Sequence, residues 1–170
     1  MIKKKFFFIY FIFIFLIQNN ILAEIKVAYI DFDILLSKIE KGKILFETLN
    51  KEEEKKFEEF SIKENSFIEQ ESKIKGSKTL ISEDQLRLDL NEFNQKIQQY
   101  NIYKSKEIEK LKKKRKDNVY NLLDLINPII ENYMSNNSIS MLFDKKNIYI
   151  ADINFDITNN LIEIINKSLK

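Results

Sequence analysis

Apolar residues return at a seven-residue step through the middle of the chain. Five of them fall on one strict heptad grid in which Glu53 fills the missing slot: Ile39, Phe46, Phe60, Phe67 and Ile74. Further along, the step is kept by Leu86, Phe93 and Tyr100, and the complementary positions hold Leu90, Ile97 and Leu111. A sustained apolar heptad forms a coiled-coil seam, so the pattern predicts two long helices packed along a narrow strip.

Capping signals divide this region into the two arms of a helical hairpin. Residues 37–40 (SKIE) and 82–85 (SEDQ) both have the form of a capping box, in which a serine caps the start of a helix. The arms are predicted over about residues 37–75 and 82–134, with the turn near 76–82. Gly76 is predicted to end the first arm as a left-handed C-cap. The seam breaks at Glu53 and between Ile108 and Val119, which predicts loosely zipped, bendable arms there.

The two ends of the chain predict a small β body. Residues 24–31 (EIKVAYID) alternate as a strand does, and residues 138–144 and 147–152, joined by the stretch DKKN, predict a β-hairpin. Residues 156–169 predict an amphipathic helix, with Asp156 and Thr158 as cap candidates. The predicted fold is therefore mainly α: a helical arm (37–134) projects from a body of three strands per chain (24–36 and 135–170).

Residues 1–23 predict an export signal. Three lysines precede an unbroken apolar stretch of twelve residues, about the length of a signal-peptide core, and cleavage is expected after Ala23. The alternative is an uncleaved anchor. Removal of these three lysines from the 28 basic residues leaves 25 against 26 acidic ones, so the exported chain is nearly neutral. We therefore expect an exported protein that does not bind polyanions through its overall charge.

The composition argues against catalysis. The chain has no His and no Cys, which removes the commonest general base, the thiolate nucleophile and the usual zinc ligands. With two glycines it has no phosphate-binding loop or dinucleotide fingerprint. We expect no enzymatic activity, no metal and no cofactor.

Several stretches resemble the Skp (OmpH-like) family of periplasmic chaperones. They are VAYID (27–31) after the signal, SKIEKGK (37–43) with Gly42 and Lys43, Pro128 in NPIIENY, MLFDKKNIYIAD (141–152), and DIT (156–158). The resemblance implies a homotrimer whose β-containing bodies associate while three helical hairpins surround a cavity. In that cavity, the family holds unfolded outer-membrane proteins without ATP.

The resemblance and the open edges of a small sheet together predict an assembly surface on the body. The residues expected at or near it are Val27, Tyr29, Met141, Phe143 and Tyr149. The family's arm tips are often rich in lysine, whereas residues 69–84 carry three lysines against four acidic residues. Contact of the tips with a membrane surface therefore stays open.

One basic run stands out in the second arm. Its members are Lys112, Lys113, Lys114, Arg115 and Lys116, and residues 104–116 hold eight basic against two acidic side chains. Folding the hairpin about residue 79 sets residues 104–111 beside the acidic stretch 47–54, where ion pairs between the arms are expected. The same folding sets 112–116 against 42–46, where Lys43 carries the only charge. The run is thus either a solvated face or a cavity-facing band for acidic unfolded clients. Nucleic acid is not expected, since no recognition module accompanies the charge.

Two classes of function follow from the sequence. The first is an ATP-independent periplasmic holdase that encloses unfolded outer-membrane proteins. The second is a structural spacer, an exported or membrane-anchored coiled coil of the cell envelope.

Overall fold

A computed structural model describes residues 25–170, so the predicted export signal (1–23) lies outside the described residues. The elements follow in the order β1 (Lys26–Ile30), α1 (Phe32–Lys38), α2 (Glu40–Gly76), α3 (Glu83–Asn136), β2 (Ile139–Asp144) and α4 (Thr158–Ser168). Short 3-10 turns lie at Ser77–Thr79, Lys145–Asn147 and Ile153–Phe155. The predicted architecture, a long helical hairpin beside a small sheet, is confirmed.

The main core lies where the sheet meets the helices. Its fully buried side chains come from β1, α1, the α1–α2 junction, the second half of α3, and α4, and they are Ile30, Leu35, Ile39, Ile126, Leu161 and Ile165. Helix α4 supplies two of these residues four positions apart, as an amphipathic helix should. The core therefore joins the two ends of the chain to the base of the hairpin.

Hydrogen bonds around Thr158 fasten strand β1 to helix α4. The buried Thr158 hydroxyl accepts the Asp31 amide at 2.9 Å and donates to the Asp156 carboxylate at 2.5 Å. Asp156 also accepts the Thr158 amide at 2.9 Å. The cap position of α4 is Ile157, however, so the two predicted cap residues each lie one position away from it. The amide of Ile157 donates to the Tyr29 carbonyl at 3.0 Å, so one edge of β1 is occupied by this segment.

The predicted C-terminal β-hairpin is not formed. Within residues 25–170 the sheet has two strands, and β2 pairs with β1 in parallel. The DKKN stretch forms a 3-10 turn in which the Asp144 carboxylate accepts the Lys146 amide at 3.1 Å. A second such turn follows, in which Asp152 accepts the Asn154 amide at 2.9 Å. Residues 148–152 lie between these two turns and form no strand, so the predicted third strand is an irregular segment.

Two predictions about helix ends were also wrong. Helix α1 begins earlier than the predicted capping box, because the Asp31 carboxylate accepts the Ile34 amide at 3.1 Å and caps it. Ser37 is then the sixth residue of α1, and its hydroxyl donates to the Ile34 carbonyl. Gly76 is right-handed, at φ −67°, because a 3-10 turn continues the helical path past it. The second cap is confirmed, since the Ser82 hydroxyl accepts the Gln85 amide at 3.3 Å.

A close approach of backbones sets the angle between α1 and α2. A Cβ atom on Gly42 would lie 1.8 Å from the Leu36 carbonyl oxygen, so any side chain at this position would force the backbone to shift. Beyond this junction α2 has 37 residues, which corresponds to about 55 Å at 1.5 Å per residue. None of the helices described between residues 25 and 170 is both long and apolar enough to cross a membrane.

Candidate functional site

The small sheet shows one face to the core and the other outward. The core face carries Ala28, Ile30 and Leu142. The parallel register sets Val27 beside Met141 and Tyr29 beside Phe143, so these four residues share the opposite face. Met141 and Phe143 remain 47% and 45% exposed. Four of the five residues predicted for an assembly surface are thus brought together on one face.

A groove of about 480 Å³ follows this outer face. Val27, Tyr29, Phe143 and Tyr149 line it, and Tyr149 itself is fully exposed. The fifth predicted residue therefore lies beside the other four, on the irregular segment rather than on a strand. Phe155 also lines the groove and was not predicted. It lies in the three-residue turn INF (153–155), which is too short to show a strand or helix period. We call this groove with Met141 and Phe143 the outer body face.

The sheet also has an open edge. Strand β2 pairs with β1 on one side, and the described residues supply no strand on its other side. An edge with free N–H and C=O groups is a template for another strand. The exposed side chains of Ile150 and Ile153 lie on the chain that follows this strand.

Aromatic rings join the two arms at mid-length. The four buried members of this aromatic cluster are Phe60, Phe67, Phe93 and Tyr100. The Tyr100 ring lies 5.2 Å from that of Phe67 in an edge-on contact, and its hydroxyl donates to the Phe60 carbonyl at 3.1 Å. Burial raises the pKa of the Tyr100 hydroxyl, which keeps it a donor. The heptad prediction for these residues is confirmed.

Polar contacts join the arms between the aromatic cluster and the main core. Arg115 donates to both carboxylate oxygens of Glu53, at 2.8 and 3.0 Å, and to the Asn50 side-chain oxygen at 2.7 Å. Lys114 donates to the Glu52 carboxylate at 2.6 Å. The hydrogen bonds from Arg115 lower the pKa of Glu53, and the same bonds raise the pKa of Arg115. The two predicted breaks in the apolar seam therefore lie opposite each other, and polar contacts join the arms there.

This pairing corrects the partners predicted for the basic run. Lys114 and Arg115 were expected beside residues 42–46, and they reach Glu52 and Glu53 instead. Closer to the tip, Lys104 forms an ion pair with Glu64 rather than with the predicted stretch 47–54. The hydrogen bond from Tyr100 to the Phe60 carbonyl fits the predicted hairpin register within two residues. The error therefore lies in the reach of the long side chains.

The remaining three members of the basic run are exposed. Lys112, Lys113 and Lys116 form no ion pair with any residue between 25 and 170. The Lys116 ammonium lies 5.6 Å from the centre of the Tyr120 ring. Because consecutive residues point to different sides of a helix, the five positive charges are spread around α3 rather than gathered on one face.

The chain matches a protein family and is similar in fold to a solved structure. The model of the family described as outer membrane protein (OmpH-like) matches residues 26–165. The fold is similar to the crystal structure of a protein from Caulobacter crescentus CB15 that is described as a candidate outer membrane chaperone (OmpH-like). That similarity has a TM-score of 0.68 at 14% sequence identity and covers 84% of each chain. Among curated proteins, no sequence matches this chain.

Proposed function

Since this chain belongs to the OmpH-like outer membrane protein family, we propose that it is an ATP-independent holdase chaperone of the periplasm. It holds unfolded outer-membrane β-barrel proteins between helical arms and prevents their aggregation before they reach the outer membrane. The structural neighbour from Caulobacter crescentus, described as a candidate chaperone, supports this proposal.

The observation that carries the proposal is the arm that extends beyond the main core. Helices α2 and α3 meet along a narrow seam that holds the buried side chains of the aromatic cluster. Polar contacts such as Arg115 to Glu53 join the helices between this cluster and the main core. Such an arm encloses nothing by itself, because two helices bury only their shared seam. Its outward faces mix charges with single apolar side chains that are more than half exposed, such as Ile62, Ile68 and Ile102. These faces suit many weak contacts with an unfolded chain.

A cavity requires more than one arm, and the outer body face is where we place the contact between copies. Aromatic and apolar side chains share this face beside the open edge of β2. A body this small gains stability from burying such a face in an assembly. The trimer implied by the family resemblance would bury it three times and set three arms around one space.

Sedimentation of the mature protein, residues 24–170, tests the assembly. At micromolar concentration we expect about three times the mass of one chain. Phe143→Glu should produce monomers, because it places a charge on the outer body face. Phe57→Glu is the matched control, since Phe57 is a similarly exposed phenylalanine on the arm. A wild-type monomer, or trimers of both variants, would contradict this location of the interface.

Suppression of aggregation tests the function. A denatured outer-membrane β-barrel is diluted into buffer without ATP, and its light scattering is followed with and without the mature protein. We expect scattering to fall to background at about one trimer per barrel. Undiminished scattering would favour the structural spacer.

We propose that the exposed members of the basic run attract acidic clients. Lys112→Gln, Lys113→Gln and Lys116→Gln together should slow the association of an acidic unfolded barrel and flatten its salt dependence. In the wild type, association should weaken from about 50 to about 500 mM salt, since the Debye length falls from roughly 14 to 4 Å. The control replaces three exposed lysines of α2, Lys51, Lys55 and Lys73, with Gln. Equal association rates and equal salt slopes in the two triple variants would indicate that the basic run is only a solvated face.

A further inference from the structure

A second groove, of about 350 Å³, lies between the arms beside the aromatic cluster. Phe67, Tyr100 and Tyr103 form its aromatic walls, and Lys63 and Lys96 stand at its rim. Two glutamines complete the lining, and none of the seven lining residues is acidic. Its volume is at the lower end of the roughly 300–1,000 Å³ typical of binding pockets, which suits one side chain rather than a large ligand.

The rim of this groove keeps its positive charge. Neither Lys63 nor Lys96 forms an ion pair with any residue from 25 to 170. Glu59, one helical turn before Lys63, is instead held by Lys56 at 2.6 Å. The Lys63 ammonium lies 5.0 Å from the centre of the Phe67 ring, so one charge stands directly over an aromatic wall.

One wall of the groove, Tyr103, is accessible to a further ring, whereas Phe67 and Tyr100 are largely buried. Tyr103 is 47% exposed, and its ring already meets that of Phe60 edge-on at 6.5 Å. Edge-on and offset contacts between aromatic rings add a stabilisation beyond that of the area they bury. A ring that enters the groove meets aromatic edges on its sides and ammonium groups at its mouth.

We propose that this groove binds an aromatic side chain flanked by carboxylates, presented by an unfolded polypeptide. The proposal rests on the holdase function and gives it a preferred contact along the arm. The two lysines complement the flanking carboxylates, and the walls complement the ring. Both contributions are weak, so an unfolded segment binds and leaves quickly, as a carrier that later releases its cargo requires.

Peptide titration of the mature protein tests the groove directly. The probe is acetyl-Glu-Phe-Glu amide, and the controls are acetyl-Lys-Phe-Lys amide and acetyl-Glu-Ala-Glu amide. With ¹³C-labelled tyrosine rings, the NMR signals of Tyr100 and Tyr103 should move with the probe at low salt. They should move at least several-fold less with either control. Equal shifts with the lysine peptide would overturn the proposed charge preference, and equal shifts with the alanine peptide would overturn the ring site.

Matched variants locate the binding. The double variant Lys63→Gln with Lys96→Gln should lower the affinity for the probe about fivefold. This is the effect of losing two exposed charge contacts of roughly 0.5 kcal/mol each. Lys51→Gln with Lys73→Gln removes the same charge elsewhere on α2 and should leave affinity unchanged. Probe affinity that is equal in these two double variants would refute the lysine rim.

The aromatic wall has its own pair of variants. Tyr103→Leu should lower the affinity for the probe by about the same factor. Tyr120→Leu changes a similarly exposed tyrosine outside the groove and should leave that affinity unchanged. Loss of binding in both would refute the assignment to this groove. The outcome is separable from the holdase function: wild-type protein that suppresses barrel aggregation but ignores the probe refutes the groove alone. Protein that binds the probe but leaves aggregation unchanged refutes the holdase function alone.

Discussion

The ion pair between Glu53 and Arg115 should hold the arms together where their apolar seam is broken. The test replaces each residue with Gln, singly and together, because Gln keeps the side-chain length and the helix propensity nearly constant. The coupling energy of this double-mutant cycle isolates the contact between the arms from the effects of each single change.

The structure places this coupling above that of an ordinary surface pair. The side chains of Glu53 and Arg115 are 26% and 35% exposed, and two hydrogen bonds at 2.8 and 3.0 Å join them. Exposed ion pairs contribute about 0–1 kcal/mol, and two-point arginine–carboxylate contacts lie at or above the upper end. We therefore expect a coupling of about 1 kcal/mol, which corresponds to roughly a fivefold change in the opening equilibrium.

Hydrogen exchange at fixed protomer concentration measures that opening. Amides in residues 47–58 and 108–120 should exchange about fivefold faster in either single variant. The control is Glu71→Gln, which breaks the 2.6 Å pair with Lys75 inside α2 and cannot join the arms. A coupling of zero, or equal acceleration by the control variant, would refute a role for the pair in zipping the arms.

The same pair predicts a pH dependence. Hydrogen bonds from Arg115 lower the pKa of Glu53 from its ordinary value of 4.5. A carboxylate whose pKa is lowered on folding contributes stability above 4.5, and this stability is lost as the pH falls through the lowered value. Acidification below pH 4.5 should therefore accelerate exchange in the wild-type arm more than in the Glu53→Gln variant. Parallel pH profiles would contradict this assignment.

Three further predictions concern the body. Gly42→Ala should lower the free energy of unfolding by about 2 kcal/mol in urea titration, because the new Cβ meets the Leu36 carbonyl and the gain in helix propensity offsets only part of that cost. Thr158→Val should cost about 1–3 kcal/mol by leaving the Asp31 amide without its acceptor, whereas Thr158→Ser should cost less than 1. Ser138→Gly should raise the melting temperature, since Ser138 has a φ of 56°, a conformation that disfavours side chains by roughly 1 kcal/mol.

The sequence predicts the parts of this fold that are set by local pattern. The heptad grid correctly selects Phe60, Phe67, Phe93 and Tyr100 as the buried contacts between arms, because period is a property of the sequence itself. The cap at Ser82 is correct for the same reason. The exposed groove beside the aromatic cluster was not predicted, since the pattern identifies which residues face the seam but not what space remains beside them.

The sequence does not predict partners that are chosen by tertiary contacts. Residues 147–152 have strand composition, and within residues 25–170 the outer edge of β2 is free, yet they form no strand. Residues 148–152 lie instead between two local turns, Lys145–Asn147 and Ile153–Phe155, which the composition does not reveal. Helix α1 was missed because its cap, Asp31, reads equally well as the end of a strand. In both places the local signal was compatible with two structures, and sequence pattern alone does not choose between them.

The wrong partners for the basic run have a geometric cause. Side chains on a helix lean toward its N-terminus, and in an antiparallel hairpin the two N-termini point in opposite directions. Long side chains at the same height therefore lean apart, and those that meet start from positions offset along the arms. Arg115 leans toward the tip and Glu53 toward the body, so they meet although a simple folding of the chain sets Arg115 beside residue 43. A prediction of ion pairs in such a hairpin must add this offset.

The pairing of Arg115 with Glu53 gives one member of the basic run a role in fixing the register of the two arms. A slide of one arm by seven residues would keep the apolar grid in contact, because a heptad seam looks the same after one repeat. The same slide would separate Arg115 from Glu53 by about 10 Å, and would place each charge in a seam against apolar neighbours. A polar pair in a coiled-coil seam thus costs some stability and selects one register among several. Replacing both residues with Leu should accordingly raise the stability of the arm while allowing it to slip, which distance measurements between spin labels at the two arms would detect as more than one population.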